Sequence, residues 1–208
     1  MTLASKITLG RLCLVPVFAV LAVRYGHTVA AGQPVEALRW WALATFVAAA
    51  ASDGIDGWIA RRFNQRSRFG EIIDPIADKS LLLTGIITLS VVDWGPGGWR
   101  IPWWFCALAI LRDLIILGGI TILFFTRKMR NIGPRWIGKV CTVTQMFALG
   151  WVMLKWVPLD PLYPCLVAAF FTAWSGYDYL MKGIRQLRQP ALDKESFREL
   201  AAKPTHVR

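Results

Sequence analysis

Acid is scarce in this 208-residue chain: 13 Asp and Glu stand against 24 Lys and Arg, for a formal charge of +11 at pH 7. Charged residues of both signs reach only 18%, short of the ~25% usual in a soluble domain. Histidine occurs twice, and the four cysteines (Cys13, Cys106, Cys141, Cys165) sit singly in apolar sequence with no CxxC pair. That pattern excludes a zinc site and a disulfide framework and predicts reduced thiols. Uninterrupted apolar runs of membrane-spanning length are also missing, since no stretch free of Asp, Glu, Lys and Arg reaches the ~20 residues that cross a bilayer unaided. Against these absences stand 55% hydrophobic residues and 11 Trp. An ordinary soluble globule is excluded, and the basic excess suits anionic lipid or a phosphate-rich substrate. Nucleic acid is not expected as a partner, because the basic residues follow the loops and form no aromatic-basic stripe.

The charge-free runs fall at 12–23, 40–52, 80–92, 101–111 with 114–126, 140–154 and 161–177. Helix can continue from 52 through Ile59, from 80 back to Pro75, and from 101 to 126 across Arg112-Asp113. The expected fold is an all-α integral membrane protein with six transmembrane helices over residues 1–184, followed by a basic tail, 185–208. Pro16 inside the first run and the five runs after it favour an anchored helix over a cleaved leader. Arg61, Arg62, Arg66 and Arg68 fall between runs two and three, and Arg127, Lys128, Arg130 and Arg135 between runs four and five. The positive-inside rule makes those loops cytoplasmic, and both termini with them. Trp94, Trp99, Trp103, Trp104, Trp151 and Trp156 are expected as an aromatic belt at the opposite interface. Residues 93–100, Asp-Trp-Gly-Pro-Gly-Gly-Trp-Arg, read as a turn. The tail is expected either as an amphipathic helix on anionic lipid or as a solvated extension.

Segment 53–78 carries the chemistry. Asp53 and Asp56 are three apart, Asp74 and Asp78 four apart, and helical periodicity puts each pair on one face. Like charges so placed repel, and near a membrane each also carries a desolvation cost, so positive charge must compensate. The nearby arginines could supply it as a solvated rim. Four carboxylates on two hairpinned helices, with Gly57, Ala60 and Gly70 keeping the shared face small, favour a divalent metal instead. Oxygen-only ligands suit Mg²⁺ or Mn²⁺, which complete their shells with substrate phosphates. Pro75 after Asp74 either starts the third helix, with Asp74 as its cap, or bends it. The arginine-rich loop beside the metals would complement a diphosphate.

The residues Asp53-x2-Asp56-Gly57-x2-Ala60-Arg61-x8-Gly70-x3-Asp74-x3-Asp78 resemble the defining motif of the CDP-alcohol phosphatidyltransferases at every spacing. The resemblance implies six transmembrane helices, a homodimer, and two metal ions held by Asp53, Asp56, Asp74 and Asp78, with Asp78 also the base. It implies further that Gly57, Arg61, Ser67 and Gly70 approach the CDP donor, and that an alcohol displaces CMP. Thr8-Leu-Gly-Arg11 and Gly138-Lys139-x2-Thr142-x2-Gln145 resemble segments of the subfamilies that make phosphatidylglycerophosphate and cardiolipin, although Ala4-Ser5 stands where a Pro-Asn pair is usual. CDP-diacylglycerol is then the donor and glycerol 3-phosphate the first expected acceptor, with phosphatidylglycerol as the alternative that Arg112-Asp113 favours. Arg112, inside an apolar run, must find partners within the protein. Neighbouring helical residues diverge by about 100°, so a local pair with Asp113 is not expected. Arg112, Lys139 and Arg135 are assigned to the acceptor's phosphate. Two rivals remain at this stage: a prenyltransferase, disfavoured by the residues between the Asp pairs, and a divalent-cation transporter.

Overall fold

The computed structural model describes residues 3–63, 68–126, 136–156 and 158–187, with the backbone alone at 3–9, 11, 12, 53–63, 68–78, 120 and 124. They form six helices and, among the described residues, no strand: α1 (Leu3–Ala30), α2 (Glu36–Phe63), α3 (Arg68–Val91), α4 (Trp103–Phe125), α5 (Trp136–Leu154) and α6 (Leu162–Leu187). Each expected run falls on one of them, to within two residues at its ends. Three helices contain segments both long and apolar enough to cross a membrane, Cys13–Ala30, Trp103–Leu123 and Trp136–Leu154. In α2, α3 and α6 the apolar segment is continuous with charged helical turns, so length is met but apolarity over a full span is not. Large apolar side chains stand exposed along the helices, among them Val17 and Val20 of α1, Leu114 and Leu117 of α4, and Phe170 and Trp174 of α6. An apolar surface of that extent suits lipid and not water.

The helix ends follow from the sequence between them. α1 stops where Gly32 takes φ +74°, with Gly32 N donating to Val29 O and Gln33 N to Thr28 O, both at 3.0 Å. This paired capping closes the orphan carbonyls of the last turn, and Pro34 prevents resumption. α6 starts on Asp160-Pro161, where the Asp160 carboxylate accepts the Leu162 amide at 2.8 Å, an N-cap preceding a proline suited to the first turn. The 93–100 turn is present: Gly97 and Gly98 have φ of 73° and 78°, and Trp94 N donates to Trp99 O at 2.8 Å.

α3 begins at Arg68, so of the two readings of Pro75 the helix start capped by Asp74 is excluded and the proline lies inside the helix. The apolar and glutamate residues ahead of the proline sustain helix, at the loss of the one amide donor that proline lacks. Trp94 does not join an interfacial belt. It is fully buried, packed edge-on against Tyr25 with centroids 4.9 Å apart, because the two left-handed glycines fold the turn back over the core. Trp103 and Trp156 do remain exposed, 76% and 87%.

The chain divides into two compact units. The first contains Met1–Cys106 and Met146–Tyr163. Here Phe18 meets Phe46 at 5.4 Å, and α1 approaches the end of α3 so closely that a Cβ on Gly26 would lie 2.6 Å from Val92 Cβ. A polar network closes this core: Lys155 Nζ donates to Tyr25 Oη at 2.7 Å, Tyr25 Oη donates to Glu36 Oε1 at 3.2 Å, and Glu36 pairs with Arg39 at 2.7 Å. Lys155, just past α5, adopts φ 51° without being glycine, a strain that the Tyr25 contact offsets. The second unit contains Ala107–Gln145 and Pro164–Arg208. Its buried side chains on α6 form a small, polar-bearing stripe, Ala168, Ala169, Thr172, Ser175 and Gly176. None of the four cysteines is in a disulfide, as expected.

Gly26→Ala should destabilise the protein by about 1–2 kcal/mol, overpacking against Val92 outweighing the gain in helix propensity. Gly150→Ala, whose Cβ would meet nothing within 4 Å, should lose no stability. Thermal unfolding in detergent compares the two. Burial, opposed by Glu36 and reinforced by Arg39, lowers the Lys155 pKa below its usual 10.5. The unfolded state therefore holds more protons between that lowered value and pH 10.5, and stability attributable to Lys155 rises with pH across the window. Relative to Lys155→Met, the wild-type Tm should gain as pH is raised toward 10.5, and a constant difference would remove Lys155 from the pH response.

Candidate functional site

Asp53, Asp56, Gly57 and Arg61 lie on the last turns of α2, and Gly70, Asp74 and Asp78 on the first turns of α3. Their side chains, together with Ser67, lie outside the described residues. The backbone nevertheless fixes their register. On an ideal helix the first aspartate pair spans about 4.5 Å of axis and the second about 6 Å, so both pairs occupy adjacent turns. α2 and α3 pack on each other within the first unit, which gathers the four positions at neighbouring helix ends. Such a set of oxygen donors suits hard divalent cations. Among residues with described side chains, no cluster of three or more His, Cys, Asp or Glu occurs. Thr8 and Arg11 are on α1, with their backbone alone described.

The second unit places Arg112 in a built pocket of partners. The residue is 5% exposed. Its Nη1 donates to Asp113 Oδ1 at 2.6 Å, and Nη2 donates to Ser175 Oγ of α6 at 3.0 Å. Beside it, Cβ atoms at Gly138 and Gly176 would fall 3.9 Å from Nη2 and 3.5 Å from Arg112 Cγ respectively, so the guanidinium head lies against α5 and its stem against α6. The expectation of partners within the protein holds. The exclusion of Asp113 does not. The 100° divergence separates short neighbouring side chains, whereas a guanidinium on its three-carbon stem folds back around the helix and reaches a half-exposed carboxylate. Arg112 Nε is buried with no hydrogen-bond partner among the described residues.

Lys139 follows Gly138 on α5 and is exposed; Arg135 lies outside the described residues. Thr142 Oγ1 donates to Gly138 O at 3.1 Å. Gln145 Nε2 donates to Thr172 Oγ1 at 3.1 Å, and that hydroxyl in turn donates to Ala168 O at 2.7 Å. The Gly138–Gln145 segment thus reaches α6 through Cys141 and Gln145, both hydrogen-bonded to Thr172. Sequence reasoning missed Ser175 and Thr172. Their signal was there, in small residues recurring at three- and four-residue steps along an otherwise bulky helix.

The model of the CDP-alcohol phosphatidyltransferases matches residues 1–177. The chain belongs to the CDP-alcohol phosphatidyltransferase family. Among its relatives, a probable phosphatidylglycerophosphate synthase of Mycobacterium tuberculosis strain H37Rv is 35% identical over 192 residues, covering 89% of this chain and 83% of the relative. The CDP-diacylglycerol--glycerol-3-phosphate 3-phosphatidyltransferases of Escherichia coli K12 and Shigella sonnei are each 33% identical over 180 residues, covering 85% of this chain and 91% of theirs. Membership in this phosphatidyltransferase family, together with the exposed apolar helices, makes the chain an integral membrane enzyme.

Proposed function

We infer that the protein transfers a phosphatidyl group from CDP-diacylglycerol to sn-glycerol 3-phosphate, forming phosphatidylglycerophosphate and CMP. The observation that carries this reading is the complete aspartate motif on the last turns of α2 and the first turns of α3, in a chain similar over most of its length to phosphatidylglycerophosphate synthases. Asp53, Asp56, Asp74 and Asp78 would hold two Mg²⁺ or Mn²⁺ ions, which when bound neutralise the donor diphosphate and the departing CMP. Gly57 and Gly70 leave room for the donor, and Arg61 and Ser67 contact its cytidine and diphosphate. Asp78 accepts the proton of the attacking hydroxyl. A carboxylate near its reference pKa of ~3.9 is a weak base, so orientation of the two substrates supplies much of the acceleration.

Arg112 and Lys139, with Arg135, receive the acceptor's phosphate. A buried guanidinium with an unpartnered Nε supports this for Arg112. All six helices cross the membrane in this reading, with the arginine-rich 61–68 and 127–135 loops and both termini in the cytoplasm and the enzyme a homodimer. The Arg112-Asp113 dipeptide, through its resemblance to the subfamily that makes cardiolipin, is the feature that favours phosphatidylglycerol as a second acceptor reading.

Purified protein in detergent, given CDP-diacylglycerol and Mg²⁺ or Mn²⁺, should release CMP with glycerol 3-phosphate and not with phosphatidylglycerol or inositol phosphate. Release with phosphatidylglycerol alone would make it a cardiolipin synthase. No release from folded, metal-loaded protein would return the cation-transport reading. Asp78→Asn should cut turnover by at least 10²-fold, the lower end of what a positioned base contributes, while leaving the thermal transition in place. Turnover at the wild-type rate would take Asp78 out of the mechanism.

A further inference from the structure

Resting on the assignment of Arg112 to the acceptor's phosphate, we propose that Ser175 of α6 is a positioning residue for that guanidinium and thereby sets the affinity for a phosphomonoester acceptor. Ser175 is fully buried, yet its hydroxyl is spent on neither a carbonyl of its own helix nor a neighbouring residue of α6. It accepts Arg112 Nη2 across 63 residues of sequence at 3.0 Å. In a helix surrounded by apolar groups, serine ordinarily bonds back to the carbonyl four residues earlier, as Thr172 does on the same face.

The geometry around the guanidinium gives this hydrogen bond its meaning. A planar guanidinium on a flexible stem has to be held at two points before its plane is defined. Asp113 Oδ1 supplies one at Nη1, 2.6 Å away, and Ser175 Oγ the other at Nη2. Gly176 lets the stem lie flat on α6, with the would-be Cβ 3.5 Å from Cγ and 3.8 Å from Cβ of Arg112. Held so, the guanidinium keeps its Nε–H without a hydrogen-bond partner among the described residues, inside a residue that is 95% buried. An unpaired charged donor at such a depth is costly unless a ligand oxygen completes it. The two bonds use two of the five N–H donors, and an oxyanion of tetrahedral geometry suits the unpartnered Nε–H together with a neighbouring Nη hydrogen, since arginine binds phosphate through adjacent N–H groups in a fixed fork. Asp113 alone would leave the plane free to rotate about the Nη1 contact.

The test pairs Ser175→Ala with Ser175→Cys, which keeps the side-chain volume but offers only a weak acceptor, and sets both beside Arg112→Gln. Steady-state CMP release gives KM for glycerol 3-phosphate and for CDP-diacylglycerol separately, and the rise in Tm with added glycerol 3-phosphate reports acceptor binding without turnover. Both serine variants should raise KM for glycerol 3-phosphate about tenfold, as expected for one hydrogen bond to a charged group. They should need correspondingly more of it for the same rise in Tm, with KM for CDP-diacylglycerol and kcat within about twofold of wild type. An unchanged acceptor KM in both serine variants, while Arg112→Gln raises it, would overturn the positioning role and leave the Arg112 assignment standing. If Arg112→Gln also leaves the acceptor KM unchanged, that assignment fails and the role of Ser175 with it. A fall in Tm accompanied by equal losses in kcat and in both substrates' KM would make Ser175 a packing residue and overturn the proposal.

Discussion

Hydrocarbon offers no hydrogen bonds, and this constraint orders everything else in the chain. Backbone groups within a membrane must be satisfied inside their own helix or by their neighbours, so a chain with this much apolar surface becomes helical nearly throughout its described length. Charge can then be carried in two ways only. It sits at a helix end, where the motif aspartates of α2 and α3 are found, or it is buried with partners, as Arg112 is with Asp113 and Ser175. In the proposed function the first solution would supply a cation-binding carboxylate set and the second a receptor for the anionic acceptor.

The two compact units are packed by different means. In the first, tight helix contacts built on Gly26, Gly85 and Phe46 carry the α2 and α3 ends on which the aspartates stand. In the second, α4, the first half of α5 and α6 present polar groups to one another through small residues. Here buried threonine, serine and glutamine join the helices through hydrogen bonds, Gln145 to Thr172 and Arg112 to Ser175, while Thr172 bonds back to Ala168. Small residues allow such helices to approach, and the hydrogen bonds between them add modestly to that packing.

Much of this was legible in the sequence, and the parts that were not share a cause. Charge-free runs located all six helices because burial in an apolar medium leaves its mark on every residue. The aspartate motif was legible because its spacing is local to two helices. What escaped depended on contacts between residues far apart in the chain. Trp94 looked like an interfacial tryptophan until the glycine turn was seen to fold it under Tyr25. Ser175 carries no mark of its own, since its role is defined by Arg112 on another helix. The Arg112–Asp113 contact was discounted by a rule about helix faces that does not govern a side chain as long as arginine. Pro75 fits either a helix start or a position within the helix by sequence alone, and only the start of α3 at Arg68 decides between them.

The Lys155–Tyr25 hydrogen bond joins residues 130 apart, and that separation is also an interval of time. At a synthesis rate of ~5–20 residues per second, the tyrosine emerges on the order of ten seconds before the lysine that completes its network. During that interval α1, α2 and α3 must hold together on the Phe18–Phe46 contact and the Gly26–Val92 approach, with Glu36 as the phenol's only partner in the network. The end of α5 then arrives as a latch on helices already assembled.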